Sequence, residues 1–176
     1  MSALIAAAKK ADYPAEIVGV LSNRAAALGL EIAAAEGLAT ASLAQSKFIS
    51  REMFEDTMTM VLESWEVDIV CLAGFMRILG EDFVNRWAGR MINIHPSLLP
   101  AYKGLDTHAR AIADGATEHG CTVHYVTPGL DEGDPILQAR VPVLPGDTPE
   151  TLAARVLVEE HRIYPEALRI LAEKLG

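Results

Sequence analysis

An α/β fold is the class this sequence predicts: a Rossmann-like, mainly parallel sheet with an antiparallel addition and helices on both faces. Three observations carry it. Strand-like and helix-like runs alternate through the first hundred residues, the pattern of βαβ units. Asp68 to Ala73 (DIVCLA) is a continuous apolar run, as expected of a strand buried on both faces. Two strand-like runs, Cys121 to Val126 and Ile136 to Val143, lie close together, and the second alternates like a solvent-bordered antiparallel strand. The chain has 176 residues, which fits one domain, residues 1–176, with a real core.

The elements follow in order. Ser2 to Ala11 is rich in Ala and Lys and reads as helix, with no strand before it. Glu16 to Ser22 (EIVGVLS) is β-rich and ends in the loop signal Ser22-Asn23. Ala25 to Glu36 is helical and closed by Gly37; Leu38 to Leu43 is a short strand. Ser50 is placed to cap a helix reaching about Trp65, with Met53, Phe54, Met58, Val61 and Leu62 at helical spacing. Glu81 to Trp87 is a short helix, a strand follows at Met91, and Thr107 to Ala113 is again helical. Asp147 or Thr148, followed by Pro149, starts the last helix, which Pro165 is expected to kink or restart. In such sheets ligands bind outside the carboxyl ends of the strands. The loops after Ala73, Asn93 and Val126 should therefore converge.

Bulk properties narrow the function. Hydrophobic residues make up 51% and charged residues 22%, a globular balance. A net charge of −9 without a basic cluster argues against nucleic acid as partner. There is no apolar run of membrane-spanning length and no secretory pattern. Cys71 and Cys121 lie in apolar runs and read as buried thiols of a reducing, cytoplasmic compartment. No Cys-x-x-Cys or His-Glu-x-x-His occurs, so the motifs suggest no metal site.

The chemistry concentrates at Met91 to Pro100 (MINIHPSLLP). Asn93 and His95 are two apart, so on an extended backbone they point to one side. One offers an amide donor, the other a proton mobile near neutral pH. Pro96 keeps His95 out of helical geometry and Pro100 closes the loop. The pair suits a reaction that builds negative charge on a carbonyl oxygen and must move protons. The bland alternative is a turn-forming Asn beside a strand-end His.

Other segments could join this pair. Gly74 to Leu79 (GFMRIL) follows the apolar run directly, and Arg77 is odd in a packing turn. It could contact a carboxylate or the polar edge of a flat ring. Leu130 to Asp134 (LDEGD) is a loop with three acids, and a carboxylate held beside an imidazole favours the imidazolium. On the C-terminal helix Ala153, Leu157, Glu160, Tyr164, Leu168 and Leu171 fall on one stripe, so Glu160 should have a partner there. That partner could be a core Arg or His. Arg51 at a helix start is ordinarily a surface residue. His108, His119, His124 and His161 read mostly as structural, although His108 could border the site. Lys103 should face solvent.

The stretch Asn93 to Gly104 resembles the N-x-H-P-S-L-L-P-x-[YF]-x-G signature of the folate-dependent formyltransferases, and the resemblance extends over Ser2 to about Ala172. It implies transfer of the formyl group of 10-formyltetrahydrofolate to the amine of phosphoribosylglycinamide in purine biosynthesis, with no metal. Catalysis is expected from Asn93, His95 and Asp131. Folate contacts are implied for Arg51, Met76, Arg77, Ile78, Leu79 and Asn93. Ribonucleotide contacts are implied for Met76, Pro96 and Glu160. The partners would be small molecules only, with neither nucleic acid nor membrane, and the protein a monomer or homodimer.

Departures and rivals accompany this resemblance. The family wording Asp-x-Gly-Pro is here Asp131-Glu-Gly-Asp134-Pro, and Asp106 stands where the family commonly has His. The family opens with a strand and a Gly-x-Gly-Ser-Asn loop that binds phosphate at a helix start. This sequence resembles the region after that point, so the domain is expected to lack both and to leave two sheet neighbours unpaired. Formyltetrahydrofolate deformylase shares the core but uses water as acceptor. Methionyl-tRNA formyltransferase shares it too, but needs basic surface. An inactive folate-binding domain is the alternative outside catalysis.

Overall fold

The computed structural model describes residues 1–176. Its helices are α1 (Ser2–Ala8), α2 (Leu28–Ala35), α3 (Arg51–Ser64), α4 (Glu81–Arg86), α5 (Thr107–Ala113) and α6 (Pro149–Leu175). Its strands are β1 (Gly19–Ser22), β2 (Ala39–Ser42), β3 (Val70–Leu72), β4 (Met91–His95), β5 (Glu118–Tyr125) and β6 (Pro135–Pro142). β1 pairs with β2 and β3 with β4, both in parallel; β5 and β6 extend the second sheet antiparallel, in the order β3-β4-β5-β6. The α/β class and its antiparallel addition are as expected.

Alternation along β4 sets the layers. Met91 packs with Phe54, Met58 and Phe83 from α3 and α4, whereas Ile92 packs with Leu4 of α1 and Leu168 of α6. Neighbours on a strand point to opposite faces, so two cores lie on opposite faces of one sheet. Asn93 and His95 share the Met91 side. β1–β2 and the larger sheet do not pair, and a largely apolar groove runs between β1 and β3. β3 is consequently half-buried, not enclosed on both faces as its composition suggested.

Helix ends follow local chemistry. Ser50 Oγ accepts from Met53 N at 3.2 Å, the expected cap of α3. Thr148 caps α6 reciprocally with Thr151. α6 does not restart at Pro165 but continues through it. An interior proline costs about 3 kcal/mol or more. Leu152, Val156, Ile163, Leu168 and Leu171 are all buried on this helix, and each contributes about 1.5–3 kcal/mol, so burial outweighs the missing bond. The buried stripe also differs from the expected one. Leu157 is half-exposed, while Leu152 and Val156 face the core. No helix is long and apolar enough to cross a membrane.

Candidate active site

β4 delivers Asn93 and His95 at its carboxyl end, beside the antiparallel β5. His95 is buried. Its Nδ1 lies 3.4 Å from Asp131 Oδ2, and its Nε2 lies 3.0 Å from the Tyr102 carbonyl oxygen. Both neighbours are acceptors, so a doubly protonated ring satisfies both contacts and a neutral ring satisfies one. Asp131 comes from the β5–β6 loop, in left-handed conformation with φ 50°. The same Oδ2 accepts from Gly104 N at 2.9 Å. Gly133 explains part of the loop's shape: a Cβ there would meet the Tyr125 carbonyl oxygen at 1.8 Å. Asp134, the departure from the family wording, accepts through its carbonyl from Tyr125 N at 3.0 Å. The loop is thus tied back onto β5 beside the substitution.

His124 joins this group although its sequence context read as structural. The β4–β5 register sets Asn93 opposite His124, and Asn93 Nδ2 lies 3.4 Å from His124 Nε2. His124 Nδ1 is 2.8 Å from the Tyr125 carbonyl oxygen, and its Nε2 is 3.8 Å from Asp131 Oδ1. Burial lowers the His124 pKa, while the Tyr125 carbonyl and Asp131 oppose that shift. A neutral ring protonated on Nδ1 donates to Tyr125 and accepts one Asn93 amide hydrogen. The other amide hydrogen stays free for a ligand. Only a histidine inside a strand that pairs with the Asn-x-His strand could have signalled this, and pairing partners were not readable.

The loop between β4 and α5 is braced from below. Thr122 Oγ1, wholly buried, donates to Ser97 O at 2.7 Å and accepts from Leu99 N at 3.1 Å and Gln138 Nε2 at 2.9 Å. Ser97 Oγ donates to Ala101 O, and Thr107 Oγ1 donates to Pro96 O. Pro96 is therefore anchored next to His95. His119 lies buried under this loop, with Nε2 3.1 Å from His108 Nδ1. Burial first, and His108 second, push the His119 pKa down to about 4.

The remaining expected residues spread around this centre. Met76, Arg77 and Ile78 stand exposed on the loop after β3, while Phe75 and Leu79 pack inward against the same core as Val126. Leu105 and Leu130 are exposed apolar side chains of the two loops that hold Asp131 in place. Arg51 is half-exposed, beside Glu55 and Gly80 at the far end of the Met76 loop, and touches none of Asn93, His95 or Asp131. Glu160 is half-buried on α6, and burial raises its pKa. No Arg or His side chain forms an ion pair with it, contrary to the partner expected from the sequence. His161 is exposed, contrary to its structural reading. Lys103 pairs with Glu132 at 3.0 Å on the surface. Both cysteines are free, and burial pushes their thiols up to about 12.

An amide, an imidazole and a carboxylate meeting at the carboxyl edge of an α/β sheet equip a catalyst of carbonyl-group transfer. The chain belongs to the Formyl transferase family, which matches residues 1–168. The phosphoribosylglycinamide formyltransferase of Escherichia coli (strain K12) is 46% identical over 173 residues, covering 98% of this chain and 82% of that protein. The trifunctional purine biosynthetic protein adenosine-3 of Homo sapiens is 46% identical over 172 residues, but the chain spans only 17% of its length. Among solved structures, phosphoribosylglycinamide formyltransferase from Brucella melitensis superposes with a TM-score of 0.94 at 52% identity, covering 98% of this chain and 88% of that one.

Proposed function

We propose that residues 1–176 act as a single formyltransferase domain that moves the formyl group of 10-formyltetrahydrofolate to the amine of phosphoribosylglycinamide in purine biosynthesis. The observation that carries it is the convergence of Asn93 and His95, at the end of β4, with Asp131 from the β5–β6 loop. The relatives that the chain nearly spans carry this activity in their names.

The amine nitrogen attacks the formyl carbon, and the carbonyl oxygen becomes an oxyanion. Asn93 donates its free amide hydrogen to that oxygen. The His95 Nε2 proton, resting on the Tyr102 carbonyl, is drawn to the stronger anionic acceptor. Asp131 holds the other ring proton and, through water, takes a proton from the attacking nitrogen. His95 then protonates N10, the C–N10 bond breaks, and tetrahydrofolate leaves. The amine has lost one proton and N10 has gained one. The exposed apolar residues Met76, Ile78, Leu105 and Leu130 support a flat ring system, with Arg51, Arg77 and Leu79 bordering it. Met76, Pro96 and Glu160 are assigned to the ribonucleotide; a ribose hydroxyl can donate to the Glu160 carboxylate. A cytoplasmic setting suits the two free thiols.

The test incubates protein with 10-formyltetrahydrofolate, with and without phosphoribosylglycinamide, and follows both products by mass spectrometry. Formylated ribonucleotide is expected only with the amine present. Formate release without it would instead support the deformylase reading, and folate binding without turnover an inactive domain.

A further inference from the structure

We infer that Arg110 is a positioning residue for formyl transfer, acting on His95 through the Tyr102 carbonyl; this rests on the proposed reaction. The segment Tyr102 to Asp106 carries three residues in left-handed conformation, Tyr102 (φ 54°), Gly104 (φ 78°) and Asp106 (φ 56°). Two of them have side chains that disfavour it, so the surroundings must impose the conformation. The segment supplies both anchors of the catalytic pair, the Tyr102 carbonyl to His95 Nε2 and the Gly104 amide to Asp131 Oδ2. Arg110, exposed on α5, holds it from outside. Its Nη1 donates to Lys103 O at 2.7 Å and Leu105 O at 3.2 Å, and its guanidinium lies 5.5 Å from the centre of the Tyr102 ring. His119 meets the same ring edge-on at 5.8 Å. Tyr102 is thus clamped by contacts to a guanidinium and a buried imidazole. Its carbonyl direction, and with it the His95 ring, follows from that clamp. A planar guanidinium can bridge two carbonyls and cover a ring at once; a lysine ammonium cannot.

The experiment compares wild type, Arg110→Ala and Arg110→Lys for kcat, KM for each substrate, Tm and the imidazole N–H signals of 15N-labelled protein. Comparison with His95→Asn assigns the His95 Nε2–H signal. Arg110→Ala is expected to lower kcat roughly tenfold with little change in KM, and to lose the hydrogen-bonded His95 Nε2–H signal. Arg110→Lys is expected to stay low in kcat. An unchanged kcat, or a fall in kcat with the Nε2–H signal intact, overturns the inference. If the wild type transfers no formyl group, the functional reading fails. The imidazole signal still decides the Arg110 link: its loss in Arg110→Ala supports the link, its persistence overturns it.

Discussion

Replacing Asp131 with Asn keeps the shape of the side chain and removes its charge. The carboxylate is nearly buried and faces His95 Nδ1 at 3.4 Å while accepting from Gly104 N at 2.9 Å. At that separation a full ion pair is worth about 5 kcal/mol at an effective dielectric of ~20. Desolvation of both partners cancels much of this, and a hydrogen bond to a charged group keeps roughly 2 kcal/mol net. In Asp131→Asn the new Oδ1 can still accept from Gly104. That oxygen also faces His95 Nδ1, so the contact survives only as one to a neutral acceptor, while Nδ2 takes the Oδ1 position facing His124 Nε2. The charge that favours the protonated ring is lost in the step that needs it. Steady-state formyl transfer should show kcat reduced about 30-fold, the factor corresponding to 2 kcal/mol, with KM changed far less. Circular dichroism should show the fold retained. A kcat within threefold of wild type would refute the assignment of Asp131 as the partner of His95.

Three further outcomes follow from the same geometry. Asn93→Ala removes the amide donor and should lower kcat by about 10²–10³ with KM little affected; an equal loss in both would point to binding instead. His119 protonates near 6.5 when unfolded but only near 4 when folded, so the unfolded chain binds the extra proton between these values and stability should fall as pH drops from about 6.5 to 4. His119→Gln should flatten that part of the profile of urea midpoint against pH, although His108 and His124, shifted in the same direction, keep some slope; a profile parallel to wild type would count against a buried neutral His119. Thr122→Val leaves Ser97 O, Leu99 N and Gln138 Nε2 without their shared hydroxyl and should cost about 2–4 kcal/mol in chemical denaturation, with under 1 kcal/mol refuting its role as the brace.

The sequence by itself determined whatever depends on neighbours a few residues apart. The period of two puts Asn93 and His95 on one side, Ser50 stands where its hydroxyl meets the third amide of α3, and the span of α5 could be read from its residues. The motif around His95 also carried the family, and with it the naming of Asp131. Tertiary structure decided everything that depends on which distant segments lie side by side. His124 enters the site because β5 pairs with β4 in a register that no local pattern encodes. The Tyr102 carbonyl reaches His95 across seven residues, on a loop whose Tyr102 ring meets Arg110 and His119 from other elements. Leu152 and Val156 lie inside while Leu157 does not, because the stripe a helix buries is set by the sheet it meets. β3 is half-buried, which the apolar composition of Asp68 to Ala73 did not indicate. Short-range sterics and hydrogen bonds are written into adjacent residues. Register and packing are cooperative choices of the whole chain.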